Sequence, residues 1–265
     1  MNATGKAMSD NSHLLEIKDI HKAFGGVQAL CDIDFDLEKD AITGLIGPNG
    51  AGKTTLFNVI TGVFPADRGE IRLAGQSVNN RAVHERVELG IARTFQNVEL
   101  FENMTVLENI LVGLHTRTRC GMIDSILKFP RIRREEKQAR KRAAELLEFV
   151  DLADYAPRRS SDLPFGWQRL VEVARAMAAA PRLLLLDEPA AGLNMSETRR
   201  LGDLIHQIRD QGITILLVEH DMSLTMSISD KIVVLDQGRK IAEDTPRAVQ
   251  SDEAVMAAYL GKAQH

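Results

Sequence analysis

The chain has 265 residues, 44% of them hydrophobic and 26% charged, with a formal net charge of −4 and a sequence pI of about 6.0. That is enough apolar material for one large α/β domain, alone or with an appended lobe, and the charge balance excludes a whole-chain electrostatic footprint for nucleic acid. Its two cysteines, Cys31 and Cys120, lie far apart with no second Cys or His at metal-ligand spacing, and no run of the ~18 apolar residues needed to span a bilayer occurs.

In chain order, residues 1–12 are small and polar and read as a flexible N-terminus. "HLLEIKDIHKAF" and "IDFDLEK" then alternate apolar and polar residues at period two, as half-buried strands do. "AITGLIG" reads as a buried strand feeding a glycine-rich loop and a helix over 53–61. "GEIRLAGQSV" predicts a hairpin turning at Gly75, and "KIVVLDQGRKIAE" another turning at Gln237 and Gly238. These are antiparallel features beside a mostly parallel core.

From about residue 97 to 165 the pattern turns helical, with "TVLENILVGL" followed by "RIRREEKQARKRAAELLEFVDLADYA", in which Leu146, Leu147 and Val150 form an apolar stripe. This predicts a helical lobe inserted into the α/β core. The core resumes with a helix over 168–180, a strand over 183–186, a helix near 196–209 and the strand "ITILLVEH". The fold class is thus a mostly parallel core sheet with an antiparallel β subdomain and a helical lobe.

Gly47, Pro48, Asn49, Gly50, Ala51, Gly52, Lys53 and Thr54 fit G-x-x-x-x-G-K-[ST] between a predicted strand and a predicted helix, the context that marks a phosphate-binding loop. Glycines let the backbone N–H groups curl round phosphates, and the helix N-terminus adds favourable potential for anions. Lys53 then bridges β- and γ-phosphates and Thr54 offers its hydroxyl to Mg²⁺.

"LLLLDE" places Asp187 and Glu188 at the carboxyl end of an apolar strand, where ligands bind in parallel sheets. Asp187 suits Mg²⁺ and Glu188 suits a general base, although in isolation a solvated acidic pair reads as well. His220 ends a second apolar strand, in reach of a γ-phosphate or the attacking water; a strand-end histidine is otherwise structural.

Gln96 opens the helical segment, where an amide could reach Mg²⁺ or water at a hinge. Phe24 stands near a glycine pair where an adenine ring could stack, and spacing alone leaves it equally an ordinary core residue. The basic run of Arg131, Arg133, Arg134, Lys137, Arg140, Lys141 and Arg142, broken by Glu135 and Glu136, reads as a solvated helix face because no aromatics interleave it.

A phosphate loop, a glutamine, a glycine-bearing segment before a helix, an Asp-Glu strand end and a strand-end histidine, in this order, resemble the ATPase subunit of ABC transporters over nearly the whole chain. "GIARTFQNVELFENMTVLENILVGLH", "EPAAGLNMSET", "VEHDMSLTMSISDKIVVLDQGRKIAEDTP" and "AAYLGKA" resemble the ATPase subunits of branched-chain amino acid importers, most closely the G component.

The resemblance implies an ATP-binding cassette on the cytoplasmic side of the membrane, peripheral to it. It would work as one of a head-to-tail pair of ATPase subunits beneath two membrane permeases, with a solute-binding protein delivering substrate. It assigns Gly50, Gly52, Lys53, Thr54 and Thr55, with neighbouring Asn49, to the phosphate loop, and Gln96 to the Q-loop. Asp187 becomes the Mg²⁺ acid, Glu188 the catalytic acid, residues 191–194 the D-loop and His220 the switch histidine. Phe24 takes the adenine-stacking place.

Residues 163–167, Leu-Pro-Phe-Gly-Trp, occupy the place of the Leu-Ser-Gly-Gly-Gln signature, which caps ATP held by the opposite subunit. Pro164 there replaces the serine and Phe165 the first glycine, while Gly166 remains. Other ABC systems, such as urea or amide importers and lipopolysaccharide-type exporters, are the neighbouring readings. A soluble P-loop ATPase or kinase fits less well, having no use for the Gly166 segment or for His220.

Overall fold

Strands that are apolar at every position have no face to offer water and must lie between layers. In the computed structural model, which describes residues 12–94, 98–114 and 130–260, the strands β3 (Ile42–Ile46), β7 (Leu183–Asp187) and β8 (Thr214–Val218) are buried throughout. With β6 (Ile91–Arg93), β9 (Lys231–Asp236) and β10 (Arg239–Asp244) they form a six-stranded sheet of order β10-β9-β3-β8-β7-β6. All neighbours pair in parallel except β10, which returns antiparallel along β9.

The alternating segments form strands, with the alternation of β1 interrupted by register shifts between Ile17 and Ile20. β1 (His13–Phe24) and β2 (Val27–Glu38) pair antiparallel, and with β4 (Arg68–Leu73) and β5 (Gln76–Ser77) make a second sheet of order β2-β1-β4-β5. The hairpins expected at Gly75 and at Gln237-Gly238 join β4 to β5 and β9 to β10.

Successive residues of the central strands serve opposite layers. Leu183 and Leu185 of β7 pack with Leu56, Phe57 and Ile60 of α1 (Lys53–Thr61) and with Leu15 and Ile17 of the antiparallel sheet. Leu184 and Leu186 pack instead with the helical side. There α3 (Val106–Leu114), α4 (Pro130–Phe149), α5 (Phe165–Ala178) and α6 (Met195–Asp210) share one apolar cluster, to which the predicted stripe Leu146, Leu147 and Val150 belongs. The exposed Arg134, Lys137, Arg140, Lys141 and Arg142 of α4 face solvent, some paired to Glu136 and Glu145. Shorter helices α2 (Val83–Glu88), α7 (Met222–Ile228), α8 (Pro246–Gln250) and α9 (Glu253–Leu260) complete the chain.

One boundary is corrected. The helix expected over 168–180 runs Phe165–Ala178, because Pro164, at φ −53° and ψ 149°, takes the N-cap and its carbonyl accepts from Trp167 and Gln168 N–H. The Leu-Pro-Phe-Gly-Trp segment therefore supplies the helix's first turn rather than a loop before it. Among the described residues, no helix is long and apolar enough to cross a membrane.

Candidate functional site

Strand order decides what meets what. β3, β8 and β7 are consecutive neighbours, so the segments leaving their carboxyl ends emerge side by side. These segments carry the glycine-rich loop, His220 and the Asp187-Glu188 pair. A cleft of about 290 Å³ is lined by Asn49, Gly50, Gly52, Lys53, Thr54 and Thr55 together with Glu188, His220 and the start of β2.

The loop wraps tightly. Gly52, the N-cap of α1, has φ +102°, and a Cβ there would stand 2.7 Å from the Ala29 carbonyl oxygen, so both conformation and space demand glycine. Lys53 is buried, and its Nζ donates to the Gly47 oxygen at 2.6 Å and the Pro48 oxygen at 3.2 Å, drawing the ammonium across the loop. Thr54 is exposed at the cleft.

Phe24 closes β1, 41% exposed, which decides against the ordinary-core alternative. Its ring meets Phe64 edge-on at 5.1 Å, and Lys22 Nζ lies 5.3 Å from its centroid. Lys22 in turn donates to Asp67 at 2.7 Å.

The two acids part ways. Asp187 is buried and accepts from Arg93 Nη2 at 2.6 Å, while Glu188 turns toward the cleft and pairs through Oε1 with His220 Nε2 at 2.9 Å. Glu188 holds φ +48°, a left-handed conformation uncommon for a residue with a side chain. Thr54 and Asp187 offer hydroxyl and carboxylate oxygens, the hard donors that Mg²⁺ takes.

Two residues of this neighbourhood escape sequence reading. Arg93 looks like any charge at a strand end until β6 is placed beside β7. Glu219 sits next to His220 and is buried; its carboxylate accepts from the backbone of Ala190, His220 and Asp221. Burial pushes that carboxyl up, and the three backbone hydrogen bonds oppose the shift.

Phe24, Asp187, Pro164 and Gly166 are not among the residues that line the cleft. A Cβ on Gly166 would come 2.6 Å from Glu197 Oε1, so the glycine lets α5 start against the N-terminus of α6. Trp167 packs edge-on against Tyr155 with centroids 4.5 Å apart, which explains a residue for which spacing offers no reason. Gln96 and Cys120 lie outside the described residues.

Pairing of β1 with β2 brings together a group that sequence spacing does not show, His21, Cys31 and Asp32, with potential ligand atoms within 4.8 Å of one another. It is an ion-pair cluster. Asp32 pairs with His21 at 3.1 Å and Arg239 at 2.8 Å, and the hydrogen bond from Cys31 to Asp32 pushes the thiol up, away from the thiolate that a metal needs.

Residues 30–191 match the family model of the ABC transporter, and residues 239–265 that of the branched-chain amino acid ATP-binding cassette transporter. The chain is 44% identical over 251 residues to the high-affinity branched-chain amino acid transport ATP-binding protein BraF of Pseudomonas aeruginosa, covering 94% of this chain and 98% of that one. Identity and coverage are the same for its counterpart LivG of Escherichia coli K12.

Among solved structures, a nucleotide-free ATP-binding cassette from an ABC transporter superposes with a TM-score of 0.83 at 32% identity, over 94% of this chain and 100% of that one. A dimeric cassette in a post-hydrolysis state with ADP and Pi superposes at 0.74 and 25% identity, over 88% and 99%. The chain belongs to the ABC transporter family, as an ATP-binding cassette of the branched-chain amino acid type.

Proposed function

We propose that the chain binds Mg²⁺ and ATP, hydrolyses the ATP, and thereby energises import of branched-chain or related amino acids. The observation that carries this reading is the convergence of Lys53, Glu188 and His220 on one cleft at the carboxyl ends of β3, β7 and β8.

The chain's residues divide the work. Backbone N–H groups of the loop at Asn49–Gly52 and the ammonium of Lys53 hold the phosphates, and Phe24 offers an aromatic face to adenine. Glu188 takes a proton from water as its oxygen attacks the γ-phosphorus, the bond to the bridging oxygen breaks, and ADP and phosphate leave. His220, paired with Glu188, fixes the orientation of that carboxylate. Thr54 and Asp187, with Gln96 as a further oxygen donor, would hold Mg²⁺, which would supply charge neutralisation at the phosphates.

The Pro164-Phe165-Gly166 turn opens α5, with N–H groups and helix dipole available to an anion. It is the segment through which this chain would complete the ATP site of a second ATPase subunit, identical or homologous, in a head-to-tail pair. That pair would lie on the cytoplasmic face of the membrane beneath two permeases, supplied by a solute-binding protein. No nucleic acid enters this reading, since the exposed cations of α4 are interleaved with Glu136 and Glu145.

The test is to purify the tagged chain from its native membranes. Two multi-spanning permeases and a related ATPase in the same particle are the expected companions; soluble partners alone, or ribosomes, would overturn the importer reading. Glu188→Gln is expected to abolish turnover while retaining ATP.

A further inference from the structure

A buried carboxylate at the end of an apolar strand is costly unless its oxygens are satisfied, and Glu219 is buried directly after β8. Its Oε1 accepts from Ala190 N–H at 2.6 Å, and its Oε2 from His220 N–H at 2.9 Å and Asp221 N–H at 3.3 Å. One side chain thus collects donors from two separate segments. The first is the turn over residues 190–194, just after Glu188; the second is the segment that carries His220.

These contacts close a ring. Glu188 leads within two residues to Ala190, Ala190 N–H meets Glu219, Glu219 meets the backbone of His220, and His220 Nε2 meets Glu188 Oε1 at 2.9 Å. Glu188 itself is held at φ +48°, with its N–H donating to the Val218 oxygen at 2.8 Å. A backbone in that region persists only where its surroundings over-determine it, and the ring does so.

The ring has an outward arm. A Cβ on Gly192 would lie 3.0 Å from the Phe165 ring, and one on Gly166 would lie 3.3 Å from Leu193. The 190–194 turn is therefore wedged between Glu219 on one side and the first turn of α5 on the other.

We propose that Glu219 is a positioning residue for ATP hydrolysis, locking the Glu188–His220 pair to the 190–194 turn so that displacement of the Phe165-Gly166 segment is transmitted to the pair. This rests on the reading of Glu188 and His220 as the groups that act on ATP. Three converging N–H donors call for an acceptor-only group, which a carboxylate is and an amide is not, since a glutamine would turn an NH₂ toward at least one donor. Glu219 is not itself among the residues lining the cleft, and its influence passes through His220 and Glu188, which are.

The experiment uses the full chain, with steady-state ATPase kinetics and ATP binding measured for Glu219→Gln, Glu219→Asp, His220→Ala and the Glu219→Gln/His220→Ala double variant. A displaced catalytic pair predicts a fall in kcat of about 100-fold for Glu219→Gln, the scale of a ~1 Å misplacement. KM and ATP affinity are expected to stay within about threefold of wild type, as for an interaction that matters only to the transition state. Glu219→Asp, retaining the charge, is expected to recover about tenfold of the loss. On the His220→Ala background Glu219→Gln is expected to add little, because both act through one pair.

A wild-type rate for Glu219→Gln, a fall in affinity that matches the fall in kcat, or effects that multiply with His220→Ala would each overturn the proposal. Should Glu219→Gln lose its cooperative thermal transition, the same cycle on Glu219→Asp decides the matter. Glu188→Gln serves as the separate control. If that variant turns over normally the hydrolytic reading fails, whereas an inactive Glu188→Gln beside a normal Glu219→Gln removes the role of Glu219 alone.

Discussion

Arg93 donates through Nη2 to Asp187 Oδ2 and through Nη1 to Asn58 Oδ1, both at 2.6 Å. One guanidinium from β6 thereby ties the acid-bearing strand β7 to α1, the helix that follows the phosphate loop. Its face also lies 5.4 Å from the Phe57 ring centroid, so its place is set by packing as well as charge.

Breaking this pair is predicted to be expensive. The Arg93 and Asp187 side chains are 11% and 5% exposed, and removing one partner of a buried pair costs ~3–5 kcal/mol, mainly through the charge left behind. Arg93→Met, close in volume, should lower urea stability by about that amount. Adding Asp187→Asn should recover much of the loss by removing the stranded carboxylate; a double variant no more stable than the single would contradict the electrostatic account.

Arg86 has a different task. It is buried, and it donates to the carbonyl oxygens of Val59 and Ile60 at 2.7 Å and of Arg81 and Asn79 at 3.1 Å. Two of these belong to the last turn of α1, where the Val59 oxygen also accepts from the C-cap Gly62 N–H at 3.3 Å and Arg86 supplies charged donors at the negative end of the helix. Arg86→Lys keeps the charge but replaces a planar fork by a point donor, and should cost ~2 kcal/mol. Chemical denaturation checks this, and an unchanged midpoint would show that water takes over the abandoned carbonyls.

Much of this architecture was legible in the residues themselves, and the exceptions share a cause. The apolar and polar pattern of "HLLEIKDIHKAF" marks β1, but its period breaks at Asp19, at φ +52°, where the register shifts and the buried positions pass from Leu15 and Ile17 to Ile20 and Lys22. The helix over 53–61 coincides with α1 because Gly52 marks its start. The start of α5 was displaced by three residues, since a proline and a glycine two positions apart read as loop unless Pro164 is known to be the N-cap. Arg93, Glu219 and Trp167 act through residues brought beside them by strand order or helix packing, namely Asp187, Ala190 and Tyr155. No spacing along the chain encodes those meetings.

Asp67 predicts a pH dependence. The Lys22 ammonium, then the Ala23 N–H, hold its carboxyl below the usual carboxylate range. A depressed folded value means that the contribution is complete above the unfolded carboxylate pKa of ~3.9 and is lost as pH falls through the folded value. The difference in thermal midpoint between wild type and Asp67→Asn should therefore be constant near neutrality and shrink below about pH 4. A difference that stays constant down to acid pH would remove Asp67 from the acid limb. Because Lys22 lies 5.3 Å from the Phe24 centroid, the same substitution tests whether this pair also sets ATP affinity.

Pro164 carries a prediction about turnover. As N-cap of α5 it has no side-chain acceptor to offer the first free N–H groups, and none caps the helix. Serine would supply one, worth ~1 kcal/mol to the helix, against ~0.4–1 kcal/mol lost by giving the unfolded chain more freedom. The two effects nearly cancel, so Pro164→Ser should leave the thermal midpoint almost unmoved. Its hydroxyl would add a hydrogen bond to an anion at the helix N-terminus, and a bond to a charged group is worth ~1.5–3 kcal/mol. In the assembled complex the variant should therefore bind ATP about tenfold more tightly, or turn it over faster, at unchanged stability. If neither rate nor nucleotide affinity changes, the proline is no handicap, and in the proposed pair the contact with the opposite subunit's ATP rests on the backbone N–H groups of Phe165 and Gly166, which precede those that Pro164 already accepts.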